Sequence, residues 1–285
     1  MTVPRWPTEA IRVRVPVTPT VQVVVHELGS GFPILCIPGL GADHTAFLHQ
    51  VERLAERHRC LVLDGRGIGA SDPAPGPYTM AALADDAAGV IERRTGRGRA
   101  HVFGVSMGGM VAQHLALRHP ERVATLVLGC TTAGGAHAAA PDPEVVRQLY
   151  GGGARDPVTA YRNACRVMYA PDFQARHPEV IEAAVSWRAA HLVRGQTFAA
   201  QLAAIGGHDT DAALPGITAP TLVLHGSADV VAPVANGVRL AARIPEAVLE
   251  TLPGRGHLFF QEDPLATDRL LARYLAVPSA RAADR

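Results

Sequence analysis

The chain has 285 residues, 48% of them hydrophobic, enough to bury the core of one α/β domain with an insertion or of two domains. Its 27 basic side chains, all arginine, face 26 acidic ones, and the net charge of +1 with no basic run argues against a nucleic-acid partner. No apolar stretch approaches the roughly 18 residues of a membrane span, and residues 1–12, with Pro4, Arg5, Pro7, Glu9 and Arg12, lack a secretory pattern, so a cytoplasmic chain is expected.

Residues 11–17 and 20–28 are rich in valine, with Pro16, Thr18 and Pro19 between them, and predict an antiparallel pair at a sheet edge. Residues 34–38 are a continuous apolar run, the pattern of a strand buried on both faces, and lead into Gly39-Leu40-Gly41. A helix over about 44–57 and a buried strand over 60–64 follow. That strand ends in Asp64-Gly65-Arg66-Gly67-Ile68-Gly69-Ala70, which formally matches a dinucleotide-binding fingerprint. The fingerprint needs a helix to open at once, and Pro73, Pro75, Gly76 and Pro77 forbid it. A helix over about 79–94, a strand from Ala100, a helix stopped by Pro120 and a strand over 123–130 complete a strict strand–helix alternation. Such alternation predicts a mostly parallel, doubly wound β-sheet.

From 131 to about 214 the pattern breaks. Helical stretches over 143–149, 157–168 and 178–194 predict an inserted helical cap after the sixth strand, dividing the chain into a core of 1–132 and 214–285 and a cap of 133–213. The parallel pattern then resumes with a strand over 220–226, a helix over 233–243, a strand over 247–252, the loop Pro253-Gly254-Arg255-Gly256-His257 and a last helix over 263–275. Cys36, Cys60, Cys130 and Cys165 form no CxxC pair and read as buried reduced thiols.

The stretch Gly104-Val105-Ser106-Met107-Gly108-Gly109 places a serine between a strand and a helix. Flanking glycines permit a turn so tight that the serine hydroxyl projects beyond the sheet, with the helix N-terminus aimed at the same spot. A plain helix-capping serine is the alternative. A serine hydroxyl is a weak nucleophile at neutral pH and needs a base, and the base needs an orienting acid. On parallel sheets of this kind the chain order is serine, acid, histidine. Asp229, in His225-Gly226-Ser227-Ala228-Asp229, and His257, in its glycine-bracketed loop, follow two successive strands whose ends converge on one sheet edge. The place after the preceding strand, Cys130-Thr131, carries no carboxylate, which favours Asp229. Backbone N–H groups of Met107 and Leu40 are the expected oxyanion donors.

These motifs together resemble the α/β-hydrolase fold: Pro38-Gly39-Leu40-Gly41, Asp64-Gly65-Arg66-Gly67-Ile68-Gly69-Ala70-Ser71, Gly104-x-Ser106-x-Gly108, His225 to Asp229 and Gly256-His257 fall in the family's order. Within it, Gly-Val-Ser-Met-Gly-Gly-Met with His119-Pro120-Glu121-Arg122-Val123 is most similar to the 3-oxoadipate enol-lactonase branch and the esterases near it. Pro38 departs from the family, which often has histidine there. The resemblance implies a cofactor-independent serine hydrolase, monomeric or homodimeric, cleaving a small-molecule ester or lactone. The alternatives are non-hydrolytic chemistry at the same site, such as elimination, acyl transfer, C–C cleavage or perhydrolase-like halogenation, and a ligand receptor with little turnover.

Phe47, Met168, Tyr169, Trp187, His191, Val231 and Phe259 are the candidates to line the substrate site, with packing of the cap as the alternative for each. An arginine for a substrate carboxylate would come from Arg166, Arg188 or Arg194. His44 and His49, and His114 and His119, are five apart and fall on different helix faces, so no metal is expected.

Overall fold

A computed structural model describes residues 6–275 except 75 and 97, so part of the 1–12 segment and Pro75 lie outside the described residues. The sheet has eight strands: β1 (Ile11–Thr18), β2 (Val21–Leu28), β3 (Phe32–Ile37), β4 (His58–Asp64), β5 (Ala100–Val105), β6 (Val123–Gly129), β7 (Thr221–Gly226) and β8 (Val248–Leu252). Their order is β1-β2-β4-β3-β5-β6-β7-β8. The β1–β2 and β2–β4 pairings are antiparallel and the remainder parallel, giving the mostly parallel sheet that the alternation predicts.

Two apolar layers cover its faces. On one, α2 (Met80–Arg94) and α3 (Met107–Arg118) bury Leu83, Val90, Ile91, Val111 and Leu115 against Leu35, Leu61 and Val102. On the other, α1 (Leu48–Leu54) and the C-terminal α10 (Phe259–Glu262) and α11 (Pro264–Leu275) pack Val51, Phe260 and Leu271 against Ile34, Cys60 and Phe103. Thr79 caps α2 by accepting the Ala82 N–H, which sets where that helix starts. The segment predicted as one helix over 44–57 is a tight turn over His44–Phe47 followed by α1. All four cysteines are free and buried.

Between β6 and β7 lie α4 (Pro143–Leu149), α5 (Pro157–Met168), α6 (Pro171–Arg176), α7 (Pro178–Ala190) and α8 (Gly195–Gly206), the helical cap. Two of these are additions to the sequence reading, and α7 stops before the expected end at 194. Pro171, between two of the predicted stretches, is the first residue of α6, a position where its missing N–H is harmless. The α8 helix starts and ends at glycine, a poor helix former, so the sequence marks it weakly.

Register brings the functional ends together. Ile37 pairs with Gly104, Val105 with Gly129, Gly129 with Leu224 and Gly226 with Leu252. The loops that carry Leu40, Ser106, Thr131, Asp229 and His257 therefore all leave one edge of the sheet.

Candidate active site

Ser106 has φ 54° and ψ −120°, a left-handed backbone that a side chain rarely adopts, between β5 and α3. Neighbouring glycines make the turn feasible. A Cβ on Gly104 would lie 2.2 Å from the Gly108 carbonyl oxygen, and one on Gly108 2.0 Å from that of Ile37. The Ser106 side chain makes no capping bond to α3, which removes the helix-cap alternative. Its backbone is pinned instead: Ser106 N–H donates to the Gly129 carbonyl at 2.9 Å, and Thr131 Oγ1 donates to the Ser106 carbonyl at 2.7 Å. The site without a carboxylate after β6 thus holds the serine turn.

His257 Nδ1 donates to Asp229 Oδ2 at 2.8 Å. The other carboxylate oxygen, Oδ1, accepts the N–H groups of Val231 at 2.8 Å and Ala232 at 2.9 Å. His225 Nε2 lies 3.4 Å from Oδ2 and donates to the Ala232 carbonyl at 2.7 Å. Burial works against ionisation of Asp229, yet the His257 charge and the bonds from both histidines outweigh it and bring its pKa down to about 2. The carboxylate is ionised and accepts only, so the His257 nitrogen facing it is the donor and Nε2 is turned away from it.

Among the described residues, His257 Nε2 and Ser106 Oγ each lack a hydrogen-bond partner. No bond joins them here, and contacts of this sort commonly tighten only when substrate is bound. Their neighbourhood is shared: the Cys130 thiol is bonded to the Ser106 backbone, feels the Asp229 charge, and is pushed far up by burial.

The Gly39–Ala42 turn lies against the serine, with a Cβ on Gly39 falling 3.2 Å from Ser106 Cβ and 3.7 Å from Oγ. Among the described residues, no acceptor takes the N–H of Leu40 or of Met107. Two unpaired donors beside a half-buried, unpaired hydroxyl can hold a developing oxyanion.

The expected lining residues divide. Phe47 and Phe259 have no exposed surface and pack in the layer under α1 and α11, against Phe103 and around Gly129, so they line no ligand surface in this conformation. Tyr169 is likewise enclosed, stacked on Phe173 with its hydroxyl donating to Gln261 at 2.6 Å. All three are packed in the interior here, Phe47 and Phe259 under the sheet and Tyr169 in the cap cluster with Cys165 and Phe173: aromatic content alone does not say whether a ring joins a core or a ligand surface. Met168 and Val231 are half-buried. Trp187 and His191 stack at 3.7 Å, and Trp187 Nε1 donates to Asp43 Oδ2 at 3.2 Å, at the join between cap and core. Of the three arginines, Arg188 reaches the core, donating to the Gly41 carbonyl at 2.7 Å. Arg166 and Arg194 are exposed.

The Gly65–Ala70 segment opens no helix. Asp72 accepts the Gln22 N–H at 2.9 Å and Ser71 Oγ donates to the Asp64 carbonyl at 2.7 Å, tying the loop back to β2 and β4. One histidine–carboxylate cluster escaped the sequence reading, because its members sit on three separate elements. His26, His44 and Asp64 present ligand atoms within 4.8 Å of one another. The two rings stack at 3.5 Å and 14°. Nearly parallel rings point their nitrogen lone pairs along separate planes, so they do not converge on one ion as metal ligands must. Both instead reach the Asp64 carboxylate, His26 at 3.1 Å and His44 at 3.1 and 3.2 Å.

The family model for the alpha/beta hydrolase fold matches residues 33–264. "Putative carbamate hydrolase RutD" of Variovorax paradoxus is 32% identical over 260 residues, covering 90% of this chain and 96% of that protein. A thermophilic esterase from Thermogutta terrifontis superposes with a TM-score of 0.77 at 30% identity, over 93% of this chain and 98% of that one. The enol-lactonase from Burkholderia xenovorans superposes at 0.79 with 26% identity, over 92% and 99%. With its sheet order, its inserted cap and these relatives together, the chain belongs to the α/β-hydrolase fold family.

Proposed function

We propose that the protein is a serine hydrolase of carboxylic esters or lactones, with Ser106 as nucleophile, His257 as base and Asp229 as its orienting acid. The observation that carries this reading is the buried His257–Asp229 bond with Nε2 left open, on the same sheet edge as the strained, unpaired Ser106.

In this reading His257 Nε2 takes the Ser106 proton as Oγ attacks the substrate carbonyl carbon. The carbonyl oxygen becomes the oxyanion and is held by the Leu40 and Met107 N–H groups. Collapse of the intermediate breaks the bond to the leaving oxygen, which takes the proton from His257, and leaves an acyl-serine. Water, deprotonated by His257, attacks the acyl carbon, the acid departs, and Ser106 regains its proton. Each step uses protein groups and water, so no cofactor is invoked. Residues 133–213 form the cap and shape the entrance, with Trp187, His191, Met168 and Val231 the remaining lining candidates. Esters, lactones and carbamates share a carbonyl carbon bearing a heteroatom leaving group, which is why relatives named for each support one chemistry.

The test is labelling with a fluorophosphonate probe together with hydrolysis of short acyl esters. Wild type should label on Ser106, and Ser106→Ala should lose both labelling and about 10⁴- to 10⁶-fold in rate while remaining folded. Turnover in ¹⁸O water should place one labelled oxygen in the product carboxylate. Unlabelled product would transfer the site to elimination or acyl transfer, and an unreactive serine would leave a receptor.

A further inference from the structure

The turn that carries Leu40 is gripped from the cap. Gln201 Oε1, on α8, accepts the Gly41 N–H at 2.8 Å, and Arg188 Nη1, near the end of α7, donates to the Gly41 carbonyl at 2.7 Å. Both polar groups of one core glycine are thus satisfied by cap side chains. Neither side chain is loose: Gln201 is buried, and the Arg188 guanidinium sits 4.9 Å above the Tyr161 ring. The fit is close, since a Cβ on Gly41, at φ 63°, would come within 3.3 Å of the Phe198 ring of α8.

Within the turn, Ala42 N–H donates to the Gly39 carbonyl at 3.2 Å. A trans peptide plane points its C=O and N–H in opposite directions, so that bond directs the Leu40 N–H outward. On the core side the support is hollow. A cavity of about 30 Å³ lies behind the turn, bordered by Pro38, Gly39, Ala42, Met107 and Gln201, large enough for a water or two but not for a packed side chain. The Gly39–Leu40 plane is therefore fixed by the turn's own bond, the Leu40–Gly41 plane by Gln201, and the Gly41–Ala42 plane, whose N–H makes the turn's bond, by Arg188.

We propose that Arg188 and Gln201 are positioning residues of the oxyanion hole, so that the cap completes the site as well as covering it. The proposal rests on the reading of Ser106 as nucleophile and the Leu40 N–H as donor. It implies that a cap drawn away from the core leaves the serine in place and the oxyanion donor misdirected.

The experiment compares Arg188→Met, Gln201→Leu and Arg188→Lys with wild type on p-nitrophenyl acetate, with an alkyl trifluoromethyl ketone as the tetrahedral mimic. Arg162→Met, which breaks the exposed Arg162–Glu182 pair inside the cap, serves as a control expected to keep wild-type kinetics. The Met and Leu variants should lose about 10- to 100-fold in kcat with KM within about threefold, because a misdirected donor is felt chiefly in the transition state. Inhibition by the ketone should weaken in parallel, and Arg188→Lys should recover part of the loss. Thermal melts identify any variant that fails to fold, and the half-buried Arg188 keeps the test available if Gln201→Leu does. Unchanged kcat in folded variants, or a loss confined to KM, overturns the clamp while leaving the hydrolase reading intact. A wild type that takes no fluorophosphonate overturns the hydrolase reading and the clamp with it.

Discussion

Two buried carboxylates in this molecule each hold two imidazoles, and they end in different places. Asp229 receives His257 at 2.8 Å and His225 at 3.4 Å, while Asp64 receives His26 and His44, each at 3.1 Å. In the first cluster one ring comes from the end of β7 and the other from the loop after β8, and the far nitrogen of His257 is open. In the second the rings stack on each other, with the Trp6 ring edge-on to both at 5.6 and 4.7 Å, so their faces are spent on packing. The lesson is that a histidine–carboxylate bond is by default a joint between segments. It becomes a candidate for chemistry only where the far nitrogen stays free beside a nucleophile.

The comparison breaks first at the acids. Asp229→Asn, whose amide can stabilise the wrong tautomer of His257, should lower kcat by about 10⁴-fold, read by ester hydrolysis. Asp64→Asn should leave kcat/KM within about tenfold of wild type. It should instead destabilise the fold by about 2–4 kcal/mol, seen as a lower urea midpoint, because the Asn amide keeps one acceptor oxygen for His26, His44 and the His44 N–H and sets its NH2 against a donor. Equal loss of activity in both variants would make the two clusters functionally alike and defeat the distinction.

A smaller effect sharpens the same contrast through acid. Burial opposes ionisation of Asp64, but the bonds from His26 and His44 hold its pKa below the ordinary carboxylate value, as the Asp229 pairs do more strongly. A carboxyl depressed in the folded state contributes stability above its unfolded pKa of about 4 and loses it as pH falls through the folded value. The gap in urea midpoint between wild type and Asp64→Asn should therefore be widest above about pH 5 and narrow progressively toward pH 2.

The core of the fold is legible in the sequence because strands buried on both faces read as unbroken apolar runs, as β3 and β6 do. The serine turn and the loops of Asp229 and His257 are legible for a related reason: glycine and strand ends mark them locally. The rest lacks local marks. His26, His44 and Asp64 are brought together only by strand order, and nothing in Arg188 or Gln201 announces that they meet Gly41. Phe47 and Phe259 mislead in the opposite sense, since a large ring near a site in sequence is as readily drawn beneath the sheet as toward a ligand.

The left-handed backbone at Ser106 sets the interests of folding against those of reactivity. Replacing Ser106 with glycine would relieve a conformation that disfavours side chains by about 1 kcal/mol or more, whereas alanine would keep it. The glycine gives back part of that gain by loosening the unfolded chain. The Ser106→Gly chain should still melt no lower than the Ser106→Ala chain. Thermal robustness alone would thus be served as well by glycine here, and the side chain at this position is one that stability does not call for.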